Sequence, residues 1–216
     1  MTLKNGVLIG VGLLIVFALC GCSGGTSTPA ATVDSAATLP AANWFPLKVG
    51  NSWTYQVTQD LSVTNPAPSE KFIYTYTGTM SVPSQVSQSG LSWFKMHFAA
   101  SLGSYDALAR HDANGLLGKD MPVTAPREYA IKKPIAVGAT WNGGKAGITF
   151  KITSLTKTVT VPKGIFKNCL SILCTDTPGN TKTTAYYAPG VGKILVVAMK
   201  GTKQAFRYEL KSYVLK

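Results

Sequence analysis

The feature that most constrains the fold of this chain is the alternation of apolar and polar side chains in several short segments. Between residues 72 and 82, one side carries Phe72, Tyr74, Tyr76, Met80 and Val82, and threonine and serine hydroxyls occupy the other. Successive side chains of a β-strand point to opposite faces of the sheet, so this spacing predicts a half-buried strand with an aromatic face. The same alternation recurs in residues 53–58, 94–98, 148–153 and 206–211.

Helical periodicity is weak after residue 22. Residues 104–111 are the one segment in which a short helix could form. Two Asn-Gly pairs, Asn114-Gly115 and Asn142-Gly143, predict two-residue hairpins, because both residue types accept the positive φ of a type I′ turn. The chain is therefore expected to be all-β: an antiparallel meander that forms a strongly curved sheet or open half-barrel, with few or no helices.

An internal repeat relates two segments that lie 88 positions apart. Residues 46–53 read Pro-Leu-Lys-Val-Gly-Asn-Ser-Trp, and residues 134–141 read Pro-Ile-Ala-Val-Gly-Ala-Thr-Trp. Each has a proline-led turn, a Val-Gly pair that redirects the chain, and a tryptophan that opens a strand. Either the domain consists of two similar halves, or one strand-opening turn is used twice. We favour the second interpretation, because the residues after each tryptophan diverge at once.

The N-terminal segment resembles a bacterial lipoprotein signal. Lys4 supplies a basic start, and residues 6–19 form an uncharged run too short to span a bilayer. The sequence Leu-Cys-Gly-Cys at residues 19–22 then matches a lipobox. Cys22 is the expected site of acylation, with palmitate as the expected acyl chain. Cys20 fits worse, because a leucine would precede it directly.

The signal implies an organisation in three parts. Residues 1–21 are the expected signal peptide, residues 22–42 an acylated cysteine with a flexible tether, and residues 43–216 one all-β domain. The tether is mostly Ser, Gly, Thr, Pro and Ala, a composition that cannot bury enough apolar surface to offset its ordering entropy. Ser23 follows Cys22 where an inner-membrane retention signal would place Asp, which favours the outer membrane. In a Gram-positive host, the chain would instead be a surface lipoprotein.

Basic residues concentrate in the C-terminal half. Residues 22–120 carry 5 basic and 6 acidic side chains, whereas residues 121–216 carry 15 and 3. This excess can attract anionic envelope lipid or acidic polysaccharide, whereas nucleic acid is not an expected partner of an exported protein. The candidate contacts are Lys132, Lys133, Lys145, Lys151 and Lys157. We favour the alternative that these lysines decorate the solvent face of strands and protect sheet edges.

Cys169 and Cys174 are the two cysteines of the expected domain. The run between them is strand-like and holds no turn residue, so the two thiols should be about 16 Å apart along the strand. A disulfide needs Cα atoms within about 7 Å. The sequence therefore predicts two buried free thiols.

Three runs together resemble a large group of uncharacterised bacterial secreted proteins and lipoproteins with a domain of unknown function. They are Phe-Pro-Leu-Lys-Val-Gly-Asn-Ser-Trp at residues 45–53, Val-Pro-Lys-Gly-Ile-Phe-Lys-Asn-Cys at 161–169 and Tyr-Tyr-Ala-Pro-Gly-Val-Gly at 186–192. The resemblance implies an all-β fold related to the curved half-barrels of periplasmic lipoprotein carriers, and it carries no catalytic residues. Physically, the Pro-Lys-Gly and Pro-Gly-Val-Gly segments are typical of turns.

Residues suited to catalysis are few and scattered. His97 is expected on the solvated side of a strand, and His111 could pair with Asp112 or bind a metal, although zinc needs three or four protein ligands. The one candidate carboxylate pair for glycoside hydrolysis is Asp106 with Asp112. Two Ser-x-x-Lys matches fall in predicted strands, where residues three apart face opposite sides. We expect no enzymatic activity, no cofactor and no metal.

Two functional interpretations remain. The first is a non-catalytic interaction or structural module, whose aromatic side chains are ordinary core and whose partner the sequence does not name. The second is a carrier that binds an apolar, acyl-chain-like ligand on a concave aromatic face. That candidate face comprises Trp53, Tyr55, Phe72, Tyr74, Tyr76, Phe94 and Phe98. We favour the first, because aromatic stripes are usually core.

Overall fold

The computed structural model describes residues 39–64, 73–120 and 127–216, and within these ranges it contains twelve strands and two single-turn helices. In chain order the elements are α1 (Ala41–Trp44), β1 (Ser52–Asp60), α2 (Leu61–Thr64), β2 (Ile73–Gln88), β3 (Leu91–Ala100), β4 (Gly103–Asp112), β5 (Gly115–Asp120), β6 (Glu128–Lys132), β7 (Thr140–Asn142), β8 (Ile148–Val161), β9 (Gly164–Asp176), β10 (Thr181–Ala188), β11 (Gly192–Lys200) and β12 (Lys203–Val214). In these parts of the chain, no helix has the length and apolar character needed to cross a membrane. The predicted signal peptide, Cys22 and most of the tether lie outside the described residues.

All twelve strands of the described ranges belong to one antiparallel sheet. Its order is β6-β5-β4-β3-β2-β1-β12-β11-β10-β9-β8-β7, so strands that are neighbours in sequence pair with each other, except β6 and β7 at the two edges, and β12 returns to pair with β1. The predicted all-β antiparallel meander is confirmed. The segment in which a helix could form, residues 104–111, lies within β4 instead.

The two edge strands of this sheet approach each other, so the curved sheet nearly closes into a barrel. The Trp141 indole Nε1 of β7 donates to the Tyr129 carbonyl of β6 at 2.9 Å. Next to it, the backbone N–H of Gly144 donates to Glu128 Oε1 at 3.1 Å. Side chains therefore bridge the seam, and the sheet is more closed than an open half-barrel.

The internal repeat coincides with the start of two six-stranded meanders, β1–β6 and β7–β12. In the first, Gly50 has φ 94° and its N–H donates to the Val82 carbonyl of β2 at 2.9 Å. In the second, Gly138 has φ 90° and its N–H donates to the Ile152 carbonyl of β8 at 2.8 Å. The same turn thus docks the first strand of each half onto the second. This arrangement favours two similar halves over our interpretation of one turn used twice.

The alternating segments place their apolar side chains in one core inside the curved sheet. In β1, Trp53, Tyr55 and Val57 are buried between partly exposed polar residues, and β8 alternates in the same way from Ile148 to Ile152. The pattern fails at the start of β2, where Tyr74 is 43% exposed. The alternation therefore predicts burial of Tyr74 wrongly. The reason is that the first residues of β2 pair with the partly exposed end of β1.

Two of the four turns predicted from the sequence lie at the expected residues. Residues 162–163 link β8 to β9, and residues 189–191 link β10 to β11, as the proline and glycine residues predict. The Asn114-Gly115 turn is displaced by one residue, because Asp112 pairs with Gly115 and its carboxylate accepts the N–H groups of Asn114 and Gly115 at 2.8 and 3.1 Å. The two-residue hairpin predicted at Asn142-Gly143 is wrong, since residues 143–147 separate β7 from β8.

Candidate functional site

The interior of the curved sheet holds a cavity of about 110 Å³. Its wall is mainly aromatic and aliphatic and comes from both halves of the sheet. The aromatic members are Phe45, Tyr55, Phe98, Tyr129, Phe150, Tyr187, Phe206 and Tyr208. The ionisable or hydrogen-bonding members beside the tyrosines are Glu128, Cys174, Thr183 and Lys193. An apolar wall with a few polar groups is typical of small-molecule sites.

Three tyrosines of the wall keep neutral phenols. Burial raises the pKa of Tyr55, Tyr187 and Tyr208 above the ordinary value. The Tyr55 hydroxyl donates to the Lys193 carbonyl at 2.9 Å, and Tyr208 is hydrogen-bonded to Tyr76. The wall therefore carries no phenolate charge at physiological pH, and Tyr55 and Tyr208 already have hydrogen-bond partners.

Phe45, the residue that follows α1, forms part of the cavity wall. The helix contacts β5 and β11, which belong to different halves of the sheet. Trp44 is fully buried, and the ring of Phe45 stacks on Trp53 with centroids 4.9 Å apart. The Gly190 N–H donates to the Asn43 carbonyl at 2.6 Å, which holds the helix to the β10–β11 turn. The predicted tether leads directly into α1.

His111 fixes the segment that follows α1. Its Nε2 lies 2.9 Å from the Phe45 carbonyl and donates a hydrogen bond to it. Burial lowers the pKa of His111, so the imidazole is neutral at physiological pH, and its buried Nδ1 has no hydrogen-bond partner. The pairing with Asp112 that the sequence suggested is replaced by this backbone contact. Within the described ranges, no three His, Cys, Asp or Glu side chains converge as metal ligands.

The two cysteines of the domain are free and buried, as predicted. Burial raises the pKa of Cys169 to about 11. Burial, aided by the charges of Glu128 and Asp176, raises the pKa of Cys174 to about 12. Both thiols are therefore protonated at physiological pH, and a protonated thiol is a poor nucleophile.

The predicted aromatic face is brought together only in part. Tyr55 and Phe98 line the cavity, whereas Trp53 is fully buried beside it with its indole N–H donating to the Val191 carbonyl at 2.6 Å. Tyr76 and Phe94 pack against the core, Tyr74 is exposed, and Phe72 lies outside the described residues. The sequence missed Phe45, Tyr187 and Lys193 as wall residues. Tyr187 belongs to the recognised turn motif, but no sequence signal distinguished Lys193 from the surface lysines around it.

The candidate lysines of the basic half are spread over the outer surface. Lys133, Lys145, Lys151 and Lys157 are exposed, and Lys132 lies over the Tyr129 ring at 5.6 Å from its centroid. Lys151 and Lys157 both belong to β8, where six residues correspond to about 20 Å. These positions fit lysines that are spread over the solvent faces of strands better than they fit a single basic patch.

A second cluster of cations, which the sequence did not indicate, surrounds Trp93 on β3. Trp93 is fully buried with Leu108 and Leu117, apart from the main core. Arg110, Lys119 and Arg127 lie over its ring at 5.6, 5.3 and 5.5 Å from the centroid. The cations cover an apolar patch of the sheet through contacts with the indole face.

The two carboxylates considered for hydrolysis have separate partners. Asp106 accepts from Lys95 at 2.9 Å and lies 2.7 Å from His97 Nδ1, and these two neighbours lower the pKa of the Asp106 carboxyl. Asp112 accepts the Tyr129 hydroxyl at 2.8 Å and also holds the β4–β5 turn. The structure therefore does not assemble a carboxylate pair. His97 lies on the surface, as predicted, with Asp106 as its partner.

Two solved structures resemble this chain at low identity. A Bacteroides fragilis protein, inferred to be exported and assigned a YmcC-like fold, superposes with a TM-score of 0.49 at 15% identity, over 80% of this chain and 99% of that protein. An inferred lipoprotein of Parabacteroides distasonis superposes with a TM-score of 0.39 at 12% identity, over 79% and 98%. No protein-family model matches this chain, and neither does any curated protein. The family resemblance of the three motif runs therefore stays a prediction.

Proposed function

We propose that this chain is a lipid-anchored protein of the cell envelope that binds an apolar ligand inside its β domain without catalysing a reaction. The observation that carries this proposal is the cavity of about 110 Å³ inside the curved sheet, with its mainly aromatic and aliphatic wall. Protein interiors hold few voids larger than a water molecule, because unfilled space forfeits dispersion contacts. A void with an aromatic wall is therefore suited to an apolar guest. We therefore favour the carrier hypothesis over the interaction module.

A binding role fits the chemistry of the wall better than catalysis does. The Cys174 thiol and the tyrosine phenols are protonated at physiological pH, and the Glu128 carboxylate accepts a backbone N–H. No histidine lies among the cavity-lining residues of the described ranges. The wall thus offers mainly apolar contact, and the Lys193 amine, whose pKa burial lowers to about 8, is the wall group best able to exchange a proton near physiological pH.

The proposed anchor and the cavity are connected through α1. The tether that follows Cys22 has about 20 residues, which span roughly 25 Å as a flexible coil. It leads into α1, which directly precedes the wall residue Phe45. In this proposal an acylated Cys22 holds the domain near the outer membrane, with the α1 end of the sheet nearest to the point of attachment.

Filling the cavity should abolish ligand binding. Ala185 of β10 lies in the wall, and Ala185→Phe would place a phenyl ring in the space that the ligand occupies. The mature chain with Cys22→Ser, exported in its own cells and purified without detergent that could exchange the ligand, should carry a bound species of defined mass in native mass spectrometry, and the same chain with Ala185→Phe should lack it.

Ala99→Phe is the matched control, because Ala99 is exposed on β3. This variant should keep the bound mass. A second cavity variant, Ala130→Leu, adds a smaller side chain and guards against misfolding of the first. Recovery of the wild-type protein without any bound mass, together with no uptake of added apolar compounds, would contradict the proposed function.

A second candidate function is contact with anionic envelope material through the outer lysines. Lys133, Lys145, Lys151 and Lys157 are exposed, and none of them takes part in the ion pairs that join Lys95 and His97 to Asp106 and Arg207 to Glu209. Changing these four to Gln should reduce retention on anionic liposomes at low salt, with the difference fading as salt screens the charges over about 8 Å at physiological ionic strength. The control variant changes four other exposed lysines to Gln: Lys182, Lys200, Lys203 and Lys211. Equal retention of the two variants would contradict a specific basic surface.

A further inference from the structure

The amine of Lys193 lies within the aromatic wall of the cavity. Lys193 is the second residue of β11, and its Nζ lies 5.8 Å from the ring centroid of Tyr187, a buried wall residue. The Tyr55 hydroxyl holds its backbone by donating to the Lys193 carbonyl at 2.9 Å. Burial lowers the pKa of the amine to about 8, so about nine-tenths of it is charged at pH 7.

This cation has no anionic partner in the described part of the chain. The ion pairs there join Lys95 and His97 to Asp106, and Arg207 to Glu209. The face of the Tyr187 ring is the one contact found for the Lys193 ammonium in the described ranges, and it compensates only part of the cost of removing a charge from water. A ligand that brings a negative charge to this position would compensate the rest.

Glu128, which supplies the carboxylate of the cavity wall, lies at the end of the cavity away from Lys193. Glu128 begins β6, and that strand ends at Lys132, which pairs with Gly115 beside the β4–β5 turn. The last residues of β4 lie at the α1 end, because His111 binds the Phe45 carbonyl. Glu128 is therefore about 13 Å from that end along β6, whereas β11 begins beside the turn that binds α1. The cavity is thus polarised, with its amine near α1 and its carboxylate away from it.

We propose that the ligand is a single-chain amphiphile with a carboxylate head group, of the fatty-acid class, whose carboxylate pairs with Lys193 and whose chain lies along the aromatic wall. This inference rests on the proposed binding function and adds the chemical class and the orientation of the ligand. The polarity of the cavity places the head group at the α1 end. A neutral alcohol of the same chain length would make the same apolar contacts but leave the ammonium without a counter-charge.

The test compares decanoate with decanol by isothermal titration calorimetry, using the mature chain with Cys22→Ser so that no acyl chain or detergent competes. We expect the wild-type cavity to bind decanoate at least tenfold more tightly than decanol at pH 7, because ion pairing adds to equal apolar contact. Lys193→Met should reduce this preference to less than threefold through a loss of decanoate affinity, and the ratio of the two affinities measured on the same variant is the readout. Lys193→Arg should keep the preference, and Lys151→Met, a change on the outer face of β8, should have no effect.

The preference should also depend on pH. The charged amine is the binding form, so the preference is nearly complete at pH 7 and below and should fall as pH rises through the pKa of about 8. The other ionisable wall groups are Tyr55, Tyr129, Tyr187, Tyr208, Cys174 and Glu128, and burial raises the pKa of Tyr129 as it does for the other tyrosines. The raised pKa values of the tyrosines and the thiol keep them neutral up to at least pH 9. Decanoate itself stays ionised throughout this range, so about a tenfold loss of preference between pH 7 and 9.5 is expected for the wild type and none for Lys193→Arg.

The outcomes distinguish the head-group assignment from the proposed binding function. Equal binding of decanoate and decanol by the wild type, or a decanoate preference that survives in Lys193→Met, would overturn the head-group assignment and leave the cavity function standing. Failure of the wild type to bind either compound would overturn the proposed function itself.

Discussion

Replacing Trp53 by alanine should lower the free energy of unfolding by about 3–5 kcal/mol, the usual loss for a large buried aromatic side chain. Trp53 has no exposed surface, stacks on Phe45 at 4.9 Å and donates to the Val191 carbonyl at 2.6 Å. It therefore joins β1, the segment after α1 and the β10–β11 turn. Because whole proteins are stable by only about 5–15 kcal/mol, this single change should be visible as a large shift in urea unfolding of the mature chain.

Two variants test whether packing or hydrogen bonding dominates at this position. Trp53→Phe keeps an aromatic ring but removes the N–H donor, so it should cost about 1–3 kcal/mol by leaving the Val191 carbonyl unsatisfied. Ile165→Ala is the control, because Ile165 is 67% exposed and its loss should change stability little. A loss below 1 kcal/mol for Trp53→Ala would contradict the role assigned to this side chain.

Cys22→Ser should abolish acylation completely, since the serine hydroxyl does not replace the thiol as the acyl acceptor. Metabolic labelling with a fatty-acid analogue should mark the wild-type protein and leave the Cys22→Ser variant unlabelled. The variant should also leave the membrane fraction or accumulate unprocessed. This all-or-none change tests the anchor without depending on the fold of the domain.

Cys20→Ser provides the matched control, because Cys20 lies two residues earlier in the same segment. The Cys20→Ser protein should still be labelled and should remain with the membrane. Label on the Cys22→Ser protein, or its loss from the Cys20→Ser protein, would move the attachment site and with it the proposed boundary between signal and tether.

The strands could be read from the chain because alternation is a local property. A side chain at every second position shares a face whatever the rest of the protein does, so β1, β3 and β8 were predictable from residues such as Trp53, Phe98 and Phe150. The turns at residues 162–163 and 189–191 were predictable for a related reason, since proline and glycine restrict or permit φ through their own covalent structure. The two buried free thiols followed from strand geometry in the same way.

Only the tertiary structure determined which strand faces are buried and which side chains line the cavity. Tyr74 and Tyr76 alternate alike in sequence, yet one is exposed at the start of β2 and the other packs on the core, because burial depends on the strands opposite. Closure of the seam by Trp141 and the meeting of wall residues from both halves are contacts between positions far apart in the chain. Lys193 shows the reason most plainly. Nothing in its neighbours separates it from an exposed lysine, and its place in the cavity wall comes from Tyr55 and Tyr187, which the fold brings to it.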